Sequence, residues 1–135
     1  MKTTARRQAR ELALQILFQT EFAPQISIQT FLSVFEHSLD PEVIHYADLL
    51  VTGVTQNKAA IDSKIQAASA HWKVERMATI DRNILRVAVF EMRLSSELIK
   101  ENIAINEAVE IAKKYGTSDS ASFVNGLLDQ VGKGH

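Results

Sequence analysis

The densest run of like charge in this chain lies at its start. Lys2, Arg6, Arg7 and Arg10 fall within ten residues that hold no acid. On a helix Arg6 and Arg10 share a face, with Arg7 one position round. A planar guanidinium fork matches phosphate oxygens and stacks on bases, so the chemistry open to this cluster is nucleic-acid binding. Cations at a helix start also oppose the macrodipole, which argues against a gratuitous cluster. The competing reading is a solvated helix start, and charge alone leaves both open. The net charge is −1 and the pI is near 6.4. Any nucleic-acid contact must therefore come from a local patch.

Other arrangements with chemical potential are fewer. Glu42 and His45 have the Glu-x-x-His spacing of di-iron bundles, but that site needs a second copy and two further glutamates, and no second copy exists. Glu42 reads better as a first-turn acid behind Pro41. His37, His45, His71 and His135 show no metal spacing, and the chain has no cysteine to serve as ligand or nucleophile. There is no Gly-rich phosphate loop and no nucleophile motif. The residues thus predict no enzyme, no metal site and no cofactor. Gly126, after Asn125, interrupts an otherwise regular helical pattern. Close packing against a neighbouring helix is the simpler explanation. Backbone approach by a ligand is the sharper one, since Asp119, Phe123 and Asn125 lie close by.

The elements that position these residues are all helical. Ile80–Leu94 has apolar side chains over most of its circumference and a narrow polar face of Arg82, Asn83, Arg86 and Arg93. A helix so apolar must be covered on more than one side, so it is the expected centre of the fold. Glu91 falls mid-stripe and needs an Arg or helix-start amide as partner. Asp81 complements the first turn or lies on a partner surface.

Residues 4–22 form the expected first helix, capped by Thr3 or Thr4, with Ala9, Leu12, Ala13, Ile16 and Leu17 inward. Ser27 caps a second helix. Asp40-Pro41 starts a third, Asn57 marks a joint, and the helical period continues to about His71. Residues 72–78 form a turn or short helix. After the central helix, Ser95–Asn102 connects to a stripe of Ile105, Ala108, Val109 and Ala112, with Glu110 paired to Lys114. Gly116 ends that helix, and Ser118 or Asp119 caps the last one. About seven helices and no strand alternation predict an all-α fold of one domain, with its central helix near residues 79–95. No apolar run approaches the roughly 20 residues that span a bilayer, and no secretory signal opens the chain. The cytoplasm is the expected compartment.

Three stretches together resemble the NusB family of bacterial transcription antitermination factors. They are ARRQARELALQILF from Ala5 to Phe18, DRNILRVAVFE from Asp81 to Glu91, and IAINEAVEIAKKYG followed by SFVNGLLD between Ile103 and Asp129. The resemblance covers nearly the whole chain. It implies two small helical bundles, about 1–72 and 73–135. It implies binding to the single-stranded boxA element of ribosomal RNA operons. It also implies a heterodimer with NusE, a small-subunit ribosomal protein, within an antitermination complex on RNA polymerase. By the same resemblance Arg6, Arg7, Arg10, Asp119 and Phe123 face RNA, while Glu75 and Asp81 face NusE. Asp81 is shorter than the Glu often found there. Some members form homodimers through the RNA surface. The rival reading is a free-standing helical interaction or homodimer module without sequence-specific RNA binding.

Overall fold

A computed structural model describes residues 3–134, with side chains from Thr4 onward. Lys2 of the basic cluster and His135 lie outside the described residues. The elements are α1 (Thr3–Phe22), α2 (Ile28–Ser33), α3 (Pro41–Gln56), α4 (Lys58–Ala68), a 3-10 turn (Val74–Arg76), α5 (Thr79–Val89) with a π-helical end (Phe90–Leu94), α6 (Glu101–Tyr115) and α7 (Ser120–Gly134). The described residues form seven α-helices and no strand, as the periodicity predicts.

Helix α5 is the hub, with α1, α3, α4, α6 and α7 all packed on it. Ile84, Leu85, Val87, Ala88 and Val89 are buried. Asn83 and Arg86 of its polar face are buried as well, which the sequence pattern does not predict. Asn83 is 1% exposed and Arg86 6%. They sit inside because acids from other helices meet them. Arg86 Nε and Nη2 donate to Asp62 at 2.8 and 2.9 Å. Arg82 Nη2 and Asn83 Nδ2 donate to Glu21 at 2.5 and 2.7 Å. A buried charge is tolerated when paired and hydrogen-bonded. The expected single helix also changes register at Phe90, where Ser95 N donates to Phe90 O across five residues.

Local signals explain most boundaries. Ser27 Oγ accepts from Thr30 N at 3.1 Å and starts α2. Pro41 opens α3, but Asp40 makes no side-chain capping bond. Thr3 and Thr4 both lie within α1 rather than before it. Asn57 divides α3 from α4, its Nδ2 donating to Gly53 O at 2.8 Å. Helix α4 stops at Ala68, short of His71, because side chains capture the backbone beyond it. Gln66 Nε2 and Ser69 Oγ donate to Trp72 O, and Val74 N donates to Gln66 Oε1. The buried face of α6 is rotated from the expected stripe: Ala104, Glu107, Ala108, Ile111 and Ala112 are inside. Lys114 pairs across to Glu11 at 3.1 Å, and Glu110 pairs with Lys113 instead.

Gly53 is where α3 meets the ring of Phe90. A Cβ there would lie 2.2–2.8 Å from three ring atoms, and Phe90 is buried. Gly53→Ala should therefore destabilise the protein by about 1–3 kcal/mol through overpacking, against a helix-propensity gain of at most about 1 kcal/mol. A urea midpoint at or above wild type would show that the ring can step aside.

Candidate nucleic-acid and partner interface

The N-terminal arginines have different fates once α1 packs. Arg7 Nε and Nη2 donate to the two Glu107 oxygens at 3.0 and 2.6 Å. Arg10 Nε donates to Glu91 Oε1 and Oε2 at 2.9 and 3.1 Å, and its Nη1 to Glu107 Oε1 at 3.3 Å. Tyr46 Oη donates to Glu91 Oε2 at 2.5 Å. Arg6 lies over the Tyr46 ring, 4.7 Å from its centroid, and 3.6 Å from Glu97 Oε2. The result is a chain of contacts from the core carboxylate of Glu91 to the surface, through Tyr46 to Arg6 and through Arg10 and Glu107 to Arg7.

This placement corrects the expectation for Arg10. It is 4% exposed, and its Nε and Nη1 are bonded to Glu91 and Glu107. It cannot reach a phosphate without breaking a buried ion pair. Burial lowers the Arg10 pKa, but the bond and charge of Glu91 leave it above the ordinary value. Glu91 is the buried, Arg-paired acid that its mid-stripe position demands. The bond to Glu107 raises Arg7 and, in return, holds Glu107 below the ordinary carboxylate range. Burial, then the Glu91 charge, push the Tyr46 hydroxyl up.

Arg6 and Arg7 remain accessible, Arg7 with 45% of its side chain exposed. Both are already paired with carboxylates. A run without acids in sequence has become a surface balanced by Glu97 and Glu107, contributed from nearly a hundred residues away. Helices α1 and α6 run in the same direction, since Arg7 meets Glu107 while Glu11 meets Lys114 and Tyr115. From Glu107 to Gly116, α6 rises roughly 13 Å. At its end Ser120 Oγ accepts from Thr117 N and α7 begins. Asp119 is exposed just ahead of α7, and Phe123 is half-buried on its first turn. No hydrogen bond or ion pair among the described residues joins these two to Arg6 or Arg7. They form a second cluster beyond α6.

The close-packing explanation for Gly126 fails. Apart from its chain neighbours and the backbone of its own helix, nothing among the described residues lies within 4 Å of a Cβ built there, and Asn125 and Gly126 are both exposed. The residue forfeits about 1 kcal/mol of helix stability relative to Ala for no packing benefit.

Glu75 and Asp81 lie around another junction. Glu75 is exposed in the 3-10 turn, and Asp81 is half-exposed in the first turn of α5. Neither carboxylate pairs with a described cation. Arg82 holds the turn against the helix, its Nη1 donating to Glu75 O at 3.2 Å while Nη2 binds Glu21. The sequence placed Arg82 on a polar face but gave no sign of this brace, and it left unread two exposed aromatics, Phe22 and Trp72. Phe22 is 68% exposed next to Glu21, and Trp72 is 59% exposed two residues before the turn. Their signal was a large apolar residue at a helix end or in a connector.

Comparison with known proteins adds independent findings. The model of the NusB family matches residues 7–133. The transcription antitermination protein NusB of Bdellovibrio bacteriovorus is 85% identical over 135 residues, covering all of both chains. Among solved structures, NusB of T. maritima is 35% identical with a TM-score of 0.88, covering 100% of this chain and 94% of that one. A crystal structure of antitermination factors NusB and NusE in complex with dsRNA contains a chain 25% identical to this one. Its TM-score is 0.83, with coverage of 99% and 100%.

Proposed function

The chain belongs to the NusB family, and from that membership we propose that it is an RNA-binding transcription antitermination factor. It binds the single-stranded boxA element of ribosomal RNA operon transcripts together with NusE, and the pair joins an antitermination complex on RNA polymerase. The observation that carries this reading is the full-length match of fold to a NusB chain solved with NusE and RNA. Two separated surfaces support it. Arg6, Arg7, Asp119 and Phe123 face RNA, whereas Glu75, in the turn that Arg82 holds, and Asp81 face NusE, neither carboxylate paired with a described cation. Phe22 and Trp72 flank the second surface as apolar anchors of the kind protein interfaces use.

The paired state of Arg6 and Arg7 bears on affinity. A phosphate must displace Glu97 and Glu107 or share their arginines, so the isolated protein binds RNA weakly. With two phosphate contacts, log K should fall with log salt at a slope of roughly −1.4. Replacing Arg6 and Arg7 together by Gln should flatten that slope and cut boxA binding in a polarisation titration, with the helical CD spectrum retained. Arg10 is left intact because its loss would strip Glu91 of its partner. Unchanged affinity and slope in the double variant would remove the arginines from the interface.

A further inference from the structure

Of the three arginines at the start of α1, one is held by a pair that can open. Glu107 Oε2 accepts from Arg7 Nη2 at 2.6 Å, and its Oε1 accepts from both Arg7 Nε at 3.0 Å and Arg10 Nη1 at 3.3 Å. The carboxylate is buried, with 9% of its side chain exposed, whereas Arg7 reaches solvent. Arg10 is fixed in place: its Nε is bonded to Glu91, and both of those side chains are closed off from water. Glu107 therefore has two cationic partners, one resident and one removable. When a phosphate draws Arg7 outward, Oε1 keeps Arg10, and no buried charge is left unpaired. The same move at Arg10 would strand Glu91. Arg6 is not held comparably, since the Glu97 side chain is 76% exposed and 3.6 Å away, a contact that water replaces at little cost.

We propose that Glu107 is a built-in competitor for the RNA phosphate, an affinity-setting residue that holds Arg7 in the free protein and keeps only Arg10 when RNA binds. The inference rests on the functional reading above and adds to it a residue that touches no RNA. Two features select Glu107 for this role. Its bond to Arg7 is bidentate, and a guanidinium fork grips a carboxylate with the same geometry as a phosphate. One fork cannot serve both at full strength, so the two anions exclude each other. The second feature is the standing counter-charge of Arg10, which lets Arg7 depart without disturbing the core. Phosphates carry no sequence information, so every RNA strand meets the same competition. Glu107 thus lowers affinity for boxA and for other RNA alike, and leaves the isolated protein dependent on the further contacts that NusE brings.

Glu107→Gln keeps an acceptor for Arg10 but removes the charge that holds Arg7. In polarisation titrations of labelled RNA it should bind boxA roughly threefold to tenfold more tightly than wild type, the scale of one charge-assisted pair on a part-exposed arginine. Scrambled RNA should gain by the same factor. Glu110→Gln is the charge control: Glu110 lies one turn on, acts on Arg7 only through space and pairs with Lys113. Its loss should change affinity by less than about twofold. In an Arg7→Gln background, Glu107→Gln should add no more than this control does, the coupling that a double-mutant cycle isolates. The wild-type protein offers a readout that decides the matter even where Glu107→Gln is too unstable to titrate. In nitrogen-resolved NMR spectra the Arg7 Nε–H signal should shift on saturation with boxA, while that of Arg10 stays in place. Wild-type or weaker affinity in folded Glu107→Gln, alongside weakened binding in Arg7→Gln, would overturn the proposal and leave the arginine reading intact. An equal gain in Glu110→Gln would overturn it as well, since net charge alone would explain the effect. So would a gain confined to boxA, which would set Glu107 against a base, or an Arg7 signal that RNA leaves unmoved. If the unmodified protein, with or without NusE, failed to prefer boxA over scrambled RNA, the functional reading itself would fall.

Discussion

Glu91→Ala is expected to cost about 3–5 kcal/mol of folding stability, as measured by urea denaturation, because it leaves a buried charge without its partner. Glu91 is 1% exposed and Arg10 4%. Both carboxylate oxygens accept from Arg10 Nε, and one also accepts from Tyr46. With Glu91 gone, Arg10 would keep only the 3.3 Å bond to Glu107, and the Tyr46 hydroxyl would have no acceptor. A domain of this size has roughly 5–15 kcal/mol in total, so the loss is a large share of it. Glu91→Gln retains the shape and one acceptor, and should cost less, about 1–3 kcal/mol. Replacing Glu91 and Arg10 together by Met removes both charges and should recover much of the loss. A cost for Glu91→Ala below about 1 kcal/mol would mean that the cluster contributes little. Arg6 and Arg7 are tied to this cluster through Tyr46 and Glu107, so the Ala variant should also bind RNA less well even where it remains folded.

Asp81→Lys should abolish the gain in RNA affinity that NusE provides, a factor of roughly 5–150 for couplings of 1–3 kcal/mol. The reasoning starts from separation. Arg6 and Arg7 lie at the start of α1 beside α6, whereas Glu75 and Asp81 lie at the start of α5, near the far end of α1. Helix α1 has 20 residues and is therefore roughly 30 Å long. NusE bound at one end need not touch the arginines at the other. One RNA strand contacting both proteins makes its second contact intramolecular, which raises apparent affinity without any new chemistry at the first. Linkage then requires RNA to tighten NusE binding by the same factor. In titrations of labelled boxA RNA, Asp81→Lys alone should bind as wild type does alone, and added NusE should no longer help. If NusE leaves the wild-type dissociation constant unchanged, the two surfaces act independently and the coupled model is wrong.

Sequence by itself determined the helices and the family. Spacing of apolar residues at three and four, few turn formers, Ser27 and Pro41 at helix starts and Asn57 at a joint placed the elements, because these signals act within one or two turns of chain. The same local logic marked Glu91 as a buried acid in need of an Arg or a helix-start amide. It could not say which of the two, or which Arg. Arg6 and Arg10 shared a face of α1 with Arg7 one position round, and nothing local singled out Arg10. Only the packing of α1 against α5 and α6 turned Arg10 inward to Glu91 and set Glu97 and Glu107 against the other two. Likewise the narrow polar face of α5 carried no sign of its partners, Glu21 and Asp62, which come from other helices. Gly126 read as a packing glycine until the space beside it proved empty. In each case the deciding partner lies on another element. A charge's fate is set by the dielectric and the counter-charges around it, and those exist only once the chain has folded.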